Sequence, residues 1–476
     1  LLLLSIIQVP RGLSAQTTAG AIHSPDHYAA ASDFAETLVT AVLEKSGTPG
    51  ISIAVGLEGE LIWSSGFGYA DVEGHTPVST QTMFRIGSVS KPLTAAAIGL
   101  LVERNRLDLD APVQRYVQSF PEKRWMITTR QLAGHLAGIR HYAGDDEIYN
   151  TTRYGTVLDG LEIFKNDTLL FQPGTRYSYS TFGWSLISAV LEGASGRDFL
   201  SFMRDEVFDP LGMSSTEPDY GGRRVQHRTR FYDRTEDGVV LEAPYVDNSY
   251  KWAGGGFLST PGDLVLFGMG HFSGDFLRPE TLRLLWTPQT TSDGHSTEYG
   301  IGWKVMVDST RVVQAAHDGS SIGGTAILIL KPQANAAIAV LGNMTQAPTG
   351  GELPFRILDA FLRPESVISA DAGPDLTGSY RCSATIMGDV EIASGTLDLR
   401  RAPAGYSGSM TWGSAAPSRI IFSLSTPERT ELVTVNRLGE LVSLRFSSFE
   451  GDALRGTWSK GGGGGLTCNP SGMEPS

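Results

Sequence analysis

The stretch Ser88-Val89-Ser90-Lys91 places a hydroxyl and an amine three positions apart, just ahead of an apolar, helix-like run from Ala95 to Val102. Serine is a poor nucleophile at neutral pH and needs a base beside it. On a helix, residues i and i+3 share a face, so a helix starting at Ser88 aims Lys91 at the serine hydroxyl. The positive end of the helix dipole favours an attacking alkoxide and disfavours a nearby ammonium. A free lysine titrates near ~10.4, so Lys91 must be buried before it accepts a proton at neutral pH. The pair alone leaves a second reading open, a helix cap followed by a surface lysine.

Two further stretches suit the same chemistry. Phe171-Gln172-Pro173-Gly174-Thr175-Arg176-Tyr177-Ser178-Tyr179-Ser180-Thr181 sets Tyr179 in a turn ahead of a helix. His317-Asp318-Gly319-Ser320 lies at the end of a strand. On the residues alone, Tyr179 also reads as a packing aromatic and His317 as an ordinary, partly buried histidine.

These residues need elements to hold them. Asp33 to Glu44 reads as an amphipathic helix with Phe34, Leu38, Val42 and Leu43 on one side. Residues 51–55 and 61–65 read as strands around a Glu58-Gly59 turn. Helices are expected over 127–136, with Thr128 and Thr129 as possible caps, and over 182–193 and 199–207. Strands return at 301–307, 311–316, 324–330 and 336–341, and a helix over 353–362 follows. Strands at both ends with helices between them imply one sheet assembled from distant parts of the chain, an α+β arrangement. Residues 364–374 read as a linker. Beyond it, seven short strands between 378 and 458 suggest a small antiparallel barrel or sandwich. Residues 461–465 read as a flexible glycine run.

With the motifs and their order in view, the chain resembles the β-lactamase and penicillin-binding serine hydrolase superfamily. The order is Ser-x-x-Lys, then Tyr-x-Thr after a Pro-Gly, then His-x-Gly. Leu107 to Val113, Thr128 to Gly138, Asp209 to Met213 and Gly255 to Leu264 extend the resemblance across roughly residues 30–365. The stretches at 138–142, 179–183 and 252–256 are especially similar to the mitochondrial serine β-lactamase-like branch and its bacterial relatives. The resemblance implies an antiparallel sheet flanked by helices, plus a helical subdomain, over residues 30–364. A small all-β barrel-like domain is expected over 375–470.

The resemblance also implies roles. Ser88 is the expected acylated nucleophile, Lys91 its base, and Tyr179 a member of the proton relay. The backbone N–H groups of Ser88 and Ser320 form the expected oxyanion hole. Thr181, His317 and Gly319 are expected to bind substrate, with Gly319 letting the strand pass close to it. Two positions depart from the pattern. Thr181 stands where asparagine is common, and His317 replaces the lysine suited to a substrate carboxylate, although histidine is mostly neutral at pH 7. No Glu-x-x-Leu-Asn segment is present. The expected activity is hydrolysis of a small peptide, amide or ester through an acyl-serine, without metal or cofactor. A peptidase comes first, a carboxylesterase or weak β-lactamase second. The non-enzymatic alternative is a peptidoglycan sensor.

Composition is consistent with this reading. The chain has 476 residues, 41% hydrophobic and 19% charged, enough for two to four ordinary domains. With 51 acidic against 38 basic side chains and a net charge of -13, a nucleic-acid partner is not expected. Leu1 to Val9 and the following Pro10 to Ala15 read as the apolar region and cleavage zone of a signal peptide, residues 1–15. That run is too short to span a bilayer, and no later stretch reads as a transmembrane anchor. A periplasmic or secreted location is expected. A mitochondrial presequence is the alternative, because no acid precedes Asp26. Cys382 and Cys468 are the two cysteines, both in the last quarter. In an exported chain they suggest a disulfide within the C-terminal module; two unpaired thiols are the other reading.

Overall fold

The strand-forming segments near residues 50–71 and 304–342 come together in one antiparallel sheet, as their placement at both ends of the helical region implies. The structure is a computed structural model. It describes residues 26–471 apart from 222–224, 309–310, 368–374, 387–389, 403–404, 426–428, 451–452 and 461–462. The expected signal segment 1–15 and most of the expected linker lie outside the described residues. The described chain divides into two compact units, one of residues 49–347 and one of residues 26–48 with 348–471.

In the first unit, seven strands form the sheet: β1 (Gly50–Leu57), β2 (Glu60–Asp71), β3 (Thr76–Pro77), β4 (Lys304–Asp308), β5 (Arg311–Ser321), β6 (Gly324–Lys331) and β7 (Ala336–Gly342). Their order is β3-β2-β1-β7-β6-β5-β4. Ile53 pairs with Val340 and with Ser65, so the two halves of the sheet meet at β1 and β7. Both of these strands are buried along their whole length, which explains their nearly unbroken apolar sequences. The helix Pro261–Ser273 packs on β1 and β7. Its start is fixed by Pro261 and by the Thr260 hydroxyl, which accepts from the Asp263 N–H.

The helices Ser90–Glu103 and Thr181–Ser195 share a core in which Leu93, Ile98, Phe182, Trp184 and Ile187 are fully buried. The expected 127–136 helix is a short turn of helix, Thr129–Ala133, closed by a Thr128–Gln131 capping box. The expected 199–207 helix runs as Phe199–Met203 and then widens into a π turn at Arg204–Phe208.

The second unit contains a closed eight-stranded barrel: β8 (Gly378–Ile386), β9 (Val390–Ala402), β10 (Gly405–Trp412), β11 (Ser418–Ser425), β12 (Thr430–Val435), β13 (Leu441–Glu450), β14 (Ala453–Ser459) and β15 (Gly463–Pro470). Seven of these strands are legible in the sequence. The eighth runs through the expected flexible glycine run. Glycine signals flexibility only when nothing pairs with it, and here β15 is clamped between β8 and β14. A Cβ at Gly464 would stand 1.7 Å from the Thr385 carbonyl oxygen, so the close approach that closes the barrel needs glycine there.

The helix Glu352–Leu362 groups with this unit. Arg356 is the reason. It bonds Ser443 Oγ at 3.1 Å and pairs with the buried Glu431 of the barrel. The helix Ala29–Ser46 joins it through Phe34, whose ring meets Phe422 edge-on at 4.6 Å.

Cys382 on β8 and Cys468 on β15 are register partners and are joined by a disulfide. The bond links the first and last strands across 86 positions of chain. On the chain-entropy model a loop of that length contributes roughly 4 to 5 kcal/mol. Reduction of the full-length protein is therefore expected to lower the stability of the barrel. Hydrogen exchange in oxidised and reduced samples would show it as faster exchange along β8 and β15. Unchanged protection would remove the disulfide as a stabilising element.

Candidate active site

The nucleophile turn is held from below by a small sheet. Phe84 and Arg85 pair with Ser259 and Leu258, and on the other side Glu217 and Pro218 pair with Leu258 and Phe257. Arg85 is buried and donates to Asp219 Oδ2 at 2.7 Å and to the Ile322 carbonyl at 2.7 Å. Asp219 also accepts from Asn248 Nδ2 at 2.8 Å. One buried ion pair therefore ties together the residues before Ser88, the turn after β5 and the segment leading to Gly254.

The helix does not begin at Ser88. Gly87–Val89 form a tight 3-10 turn and the α-helix starts at Ser90. Side chains on a helix lean toward its N-terminus, and Lys91 leans back so that Nζ lies 2.9 Å from Ser88 Oγ. Lys91 Nζ also donates to the Gly254 carbonyl at 2.7 Å. Lys91 is fully buried. Burial first, and the Lys251 ammonium second, hold it well below the ordinary lysine value. Tyr179 Oη donates to Ser88 Oγ at 2.8 Å. Burial pushes its hydroxyl above the ordinary tyrosine range, so it keeps its proton. Ser88, Lys91 and Tyr179, far apart in sequence, thus meet at one oxygen.

Strand β5 lies against this turn. A Cβ at Gly319 would stand 2.0 Å from the Ile86 carbonyl oxygen and 3.0 Å from the Ser88 nitrogen. The missing side chain makes room for the nucleophile turn. Ser320 follows on the exposed face and lines the cavity with Ser88, Tyr179 and Thr181. The cavity has a volume of about 390 Å³.

His317 is 1% exposed and is not among the residues lining that cavity. Its Nδ1 lies 2.6 Å from the Asp318 carbonyl and its Nε2 lies 2.8 Å from Tyr299 Oη. A carbonyl only accepts, so Nδ1 carries the proton and Nε2 accepts from the tyrosine. Burial lowers His317 to about 3, so the ring is neutral. Asp318, on the opposite face of β5, lines the cavity.

Three other residues shape the site without having been singled out for it. His135 packs its ring against Tyr179 with centroids 4.2 Å apart, and its Nδ1 accepts from the Ser180 N–H at 3.1 Å. His141 accepts from the Thr181 N–H at 3.3 Å and stacks on Tyr142. Burial, then the charges of Lys91 and Lys251, lower His141 to about 4. Lys251 lines the same cavity. Among the described residues no group of three or more His, Cys, Asp or Glu is placed to hold a metal ion.

The sequence model of the Beta-lactamase family matches residues 35–361. The chain belongs to the β-lactamase family. It is 32% identical over 405 residues to the bovine (Bos taurus) protein "Serine beta-lactamase-like protein LACTB, mitochondrial", covering 64% of this chain and 73% of that one. It is 29% identical over 279 residues to a D-aminopeptidase of Gluconobacter oxydans, covering 56% and 50%. Among solved structures, the octameric penicillin-binding protein homologue from Pyrococcus abyssi shares the fold. It has a TM-score of 0.60 at 20% identity over 92% of this chain and 99% of that one. This β-lactamase-family chain is a serine hydrolase, and no described helix is long and apolar enough to cross a membrane.

Proposed function

We propose that this β-lactamase-family protein hydrolyses small amides or esters through an acyl-serine on Ser88, and that its natural substrates are peptides. The observation that carries the reading is the convergence of Lys91 Nζ and Tyr179 Oη on Ser88 Oγ, at 2.9 and 2.8 Å. With Lys91 neutral, the Ser88 hydroxyl donates to Nζ. Attack moves that proton to Lys91 as Oγ bonds the substrate carbonyl. The oxyanion rests on the Ser88 and Ser320 N–H groups. Tyr179, which holds its proton, passes it to the leaving nitrogen or oxygen and is recharged by Lys91. Water then repeats the sequence in reverse on the acyl-enzyme. The D-aminopeptidase relative supports a peptide over an ester as the natural substrate. A fluorophosphonate probe is expected to label Ser88 alone, read by peptide mass mapping. Absence of label on Ser88 in active protein would overturn the mechanism.

The same reading predicts weak activity on penicillins. Position 317 offers no cation, since His317 is buried and neutral, and Thr181 offers no side-chain amide. Small esters or peptides are expected to be turned over faster than penicillin. Penicillin hydrolysis near the diffusional ceiling of about 10⁸ M⁻¹s⁻¹ would show the reasoning wrong. We further propose that the protein works in an oxidising compartment outside the cytosol, which the Cys382–Cys468 disulfide supports. The likeness to the bovine mitochondrial protein favours the mitochondrial alternative.

A further inference from the structure

Lys251 ends the helical turn Ser249–Lys251 and immediately precedes the Trp252–Gly255 turn, whose Gly254 carbonyl holds Lys91. It is 7% exposed, and it lines the cavity that contains Ser88. Most of its side chain is buried, and an ammonium held there gains from a counter-charge or a set of acceptors. Among the described residues its Nζ has neither. It lies over the rings of Tyr250 and Tyr142, 5.3 and 5.7 Å from their centroids, and ring faces compensate a cation only in part.

The rest of the wall does not supply the missing charge. Asp318 is the other ionised residue lining the cavity, and Lys304 already pairs with it. His141 is neutral near pH 7. Lys91 lies behind Ser88 and acts as a base only when uncharged. The cavity therefore presents one uncompensated cation beside the reacting oxygen, on the wall built from Tyr142 and His141 and not on β5.

We infer that Lys251 is a substrate-binding residue that selects amides or esters carrying a carboxylate a few bonds from the scissile carbonyl. The inference rests on the Ser88 hydrolase reading and adds a substrate class to it. A carboxylate against Lys251 forms a charge-assisted hydrogen bond away from bulk water, where such bonds are strongest. The carboxylate belongs either to the acyl portion or to the leaving group, and matched esters separate the two.

The test compares kcat/KM of the full-length protein on three esters. p-Nitrophenyl hexanoate is neutral. The p-nitrophenyl monoester of adipic acid carries a carboxylate on the acyl side. A carboxy-substituted p-nitrophenyl hexanoate carries one on the leaving group. At least one anionic ester is expected to exceed the neutral one by about tenfold, as befits one hydrogen bond to a charged group. Lys251→Gln is expected to erase that ratio and Lys251→Arg to keep part of it. Any effect of Lys251 on the basicity of Lys91 moves all three esters together and cancels in the ratio. Equal rates on anionic and neutral esters in the wild type, or a preference that survives Lys251→Gln, would overturn the proposal. Should the glutamine variant not fold, competition in the wild type decides. Free adipate must inhibit hexanoate-ester turnover at lower concentration than butanol does, and equal inhibition overturns the proposal. If none of the three esters shows Ser88-dependent turnover, the hydrolase reading falls and takes this one with it. Turnover without preference removes only the assignment of Lys251.

Discussion

Replacing Ser88 by alanine is expected to lower kcat/KM by roughly 10⁴-fold or more on any ester or amide the enzyme turns over. Lys91→Ala is expected to cost nearly as much, and the double variant little more than either, because residues that act as one unit are not additive. The physical reason is that, among the described residues, Ser88 Oγ has a single acceptor for its proton. Lys91 Nζ is 2.9 Å away, while Tyr179 Oη donates to the same oxygen and keeps its own proton. The sign of the pH dependence follows. Burial, then Lys251, hold Lys91 well below its ordinary value, so the competent neutral form is present above that lowered pKa. It is lost as pH falls through it. The acid limb of the kcat/KM profile should therefore lie well below ~10.4, where a free lysine titrates. Stability shares the direction: between the lowered pKa and ~10.4 the unfolded chain binds the extra proton, so this group's contribution rises with pH. Steady-state kinetics with mass spectrometry of the acyl-enzyme would check the variants. Near wild-type turnover in Ser88→Ala would remove the acyl-serine route.

The arrangement of the site was legible where the chemistry depends on spacing along one element. The Ser88–Lys91 separation sets the two side chains about one turn apart, and the structure brings them together across the junction of the 3-10 turn and the helix. Tyr179 could be reached only through a resemblance, because 91 positions separate it from Ser88 and no local pattern distinguishes it from a packing aromatic. His317 shows the limit of reading a motif by position. It occupies the place of a lysine, but strand alternation puts it on the buried face with Gly319, where Tyr299 and the Asp318 carbonyl engage both ring nitrogens. Lys251 left no trace of its role, since an isolated lysine in a Gly- and aromatic-rich stretch reads as surface until the fold surrounds it. The longer β-strands of both units followed from alternation and turn residues. The exception, β15, is written in glycines, which lack the side-chain pattern that marks a strand; only its pairing with β8 and β14 gives it form.

Gly319→Ala is expected to be the most damaging single methyl that can be added to the site. The new Cβ would stand 2.0 Å from the Ile86 carbonyl oxygen and 3.0 Å from the Ser88 nitrogen. Both are backbone atoms, and neither can rotate aside as a flexible side chain would. Ile86 is buried and Arg85 beside it is fixed by Asp219 and by the Ile322 carbonyl, so the nucleophile turn cannot yield cheaply. The strand must move instead, and it carries Ser320 with it. A displacement of that kind separates the two N–H groups proposed to hold the oxyanion. Loss of one such donor typically costs about 10² to 10³ in kcat. The expected signature is a large fall in kcat with a smaller change in KM, and slower fluorophosphonate labelling of Ser88. The seven-stranded sheet should persist by far-ultraviolet circular dichroism, because β5 keeps its pairing with β6. A kcat within a few fold of wild type would show that β5 is not fixed against the Ser88 turn, and the oxyanion would then have to be held elsewhere.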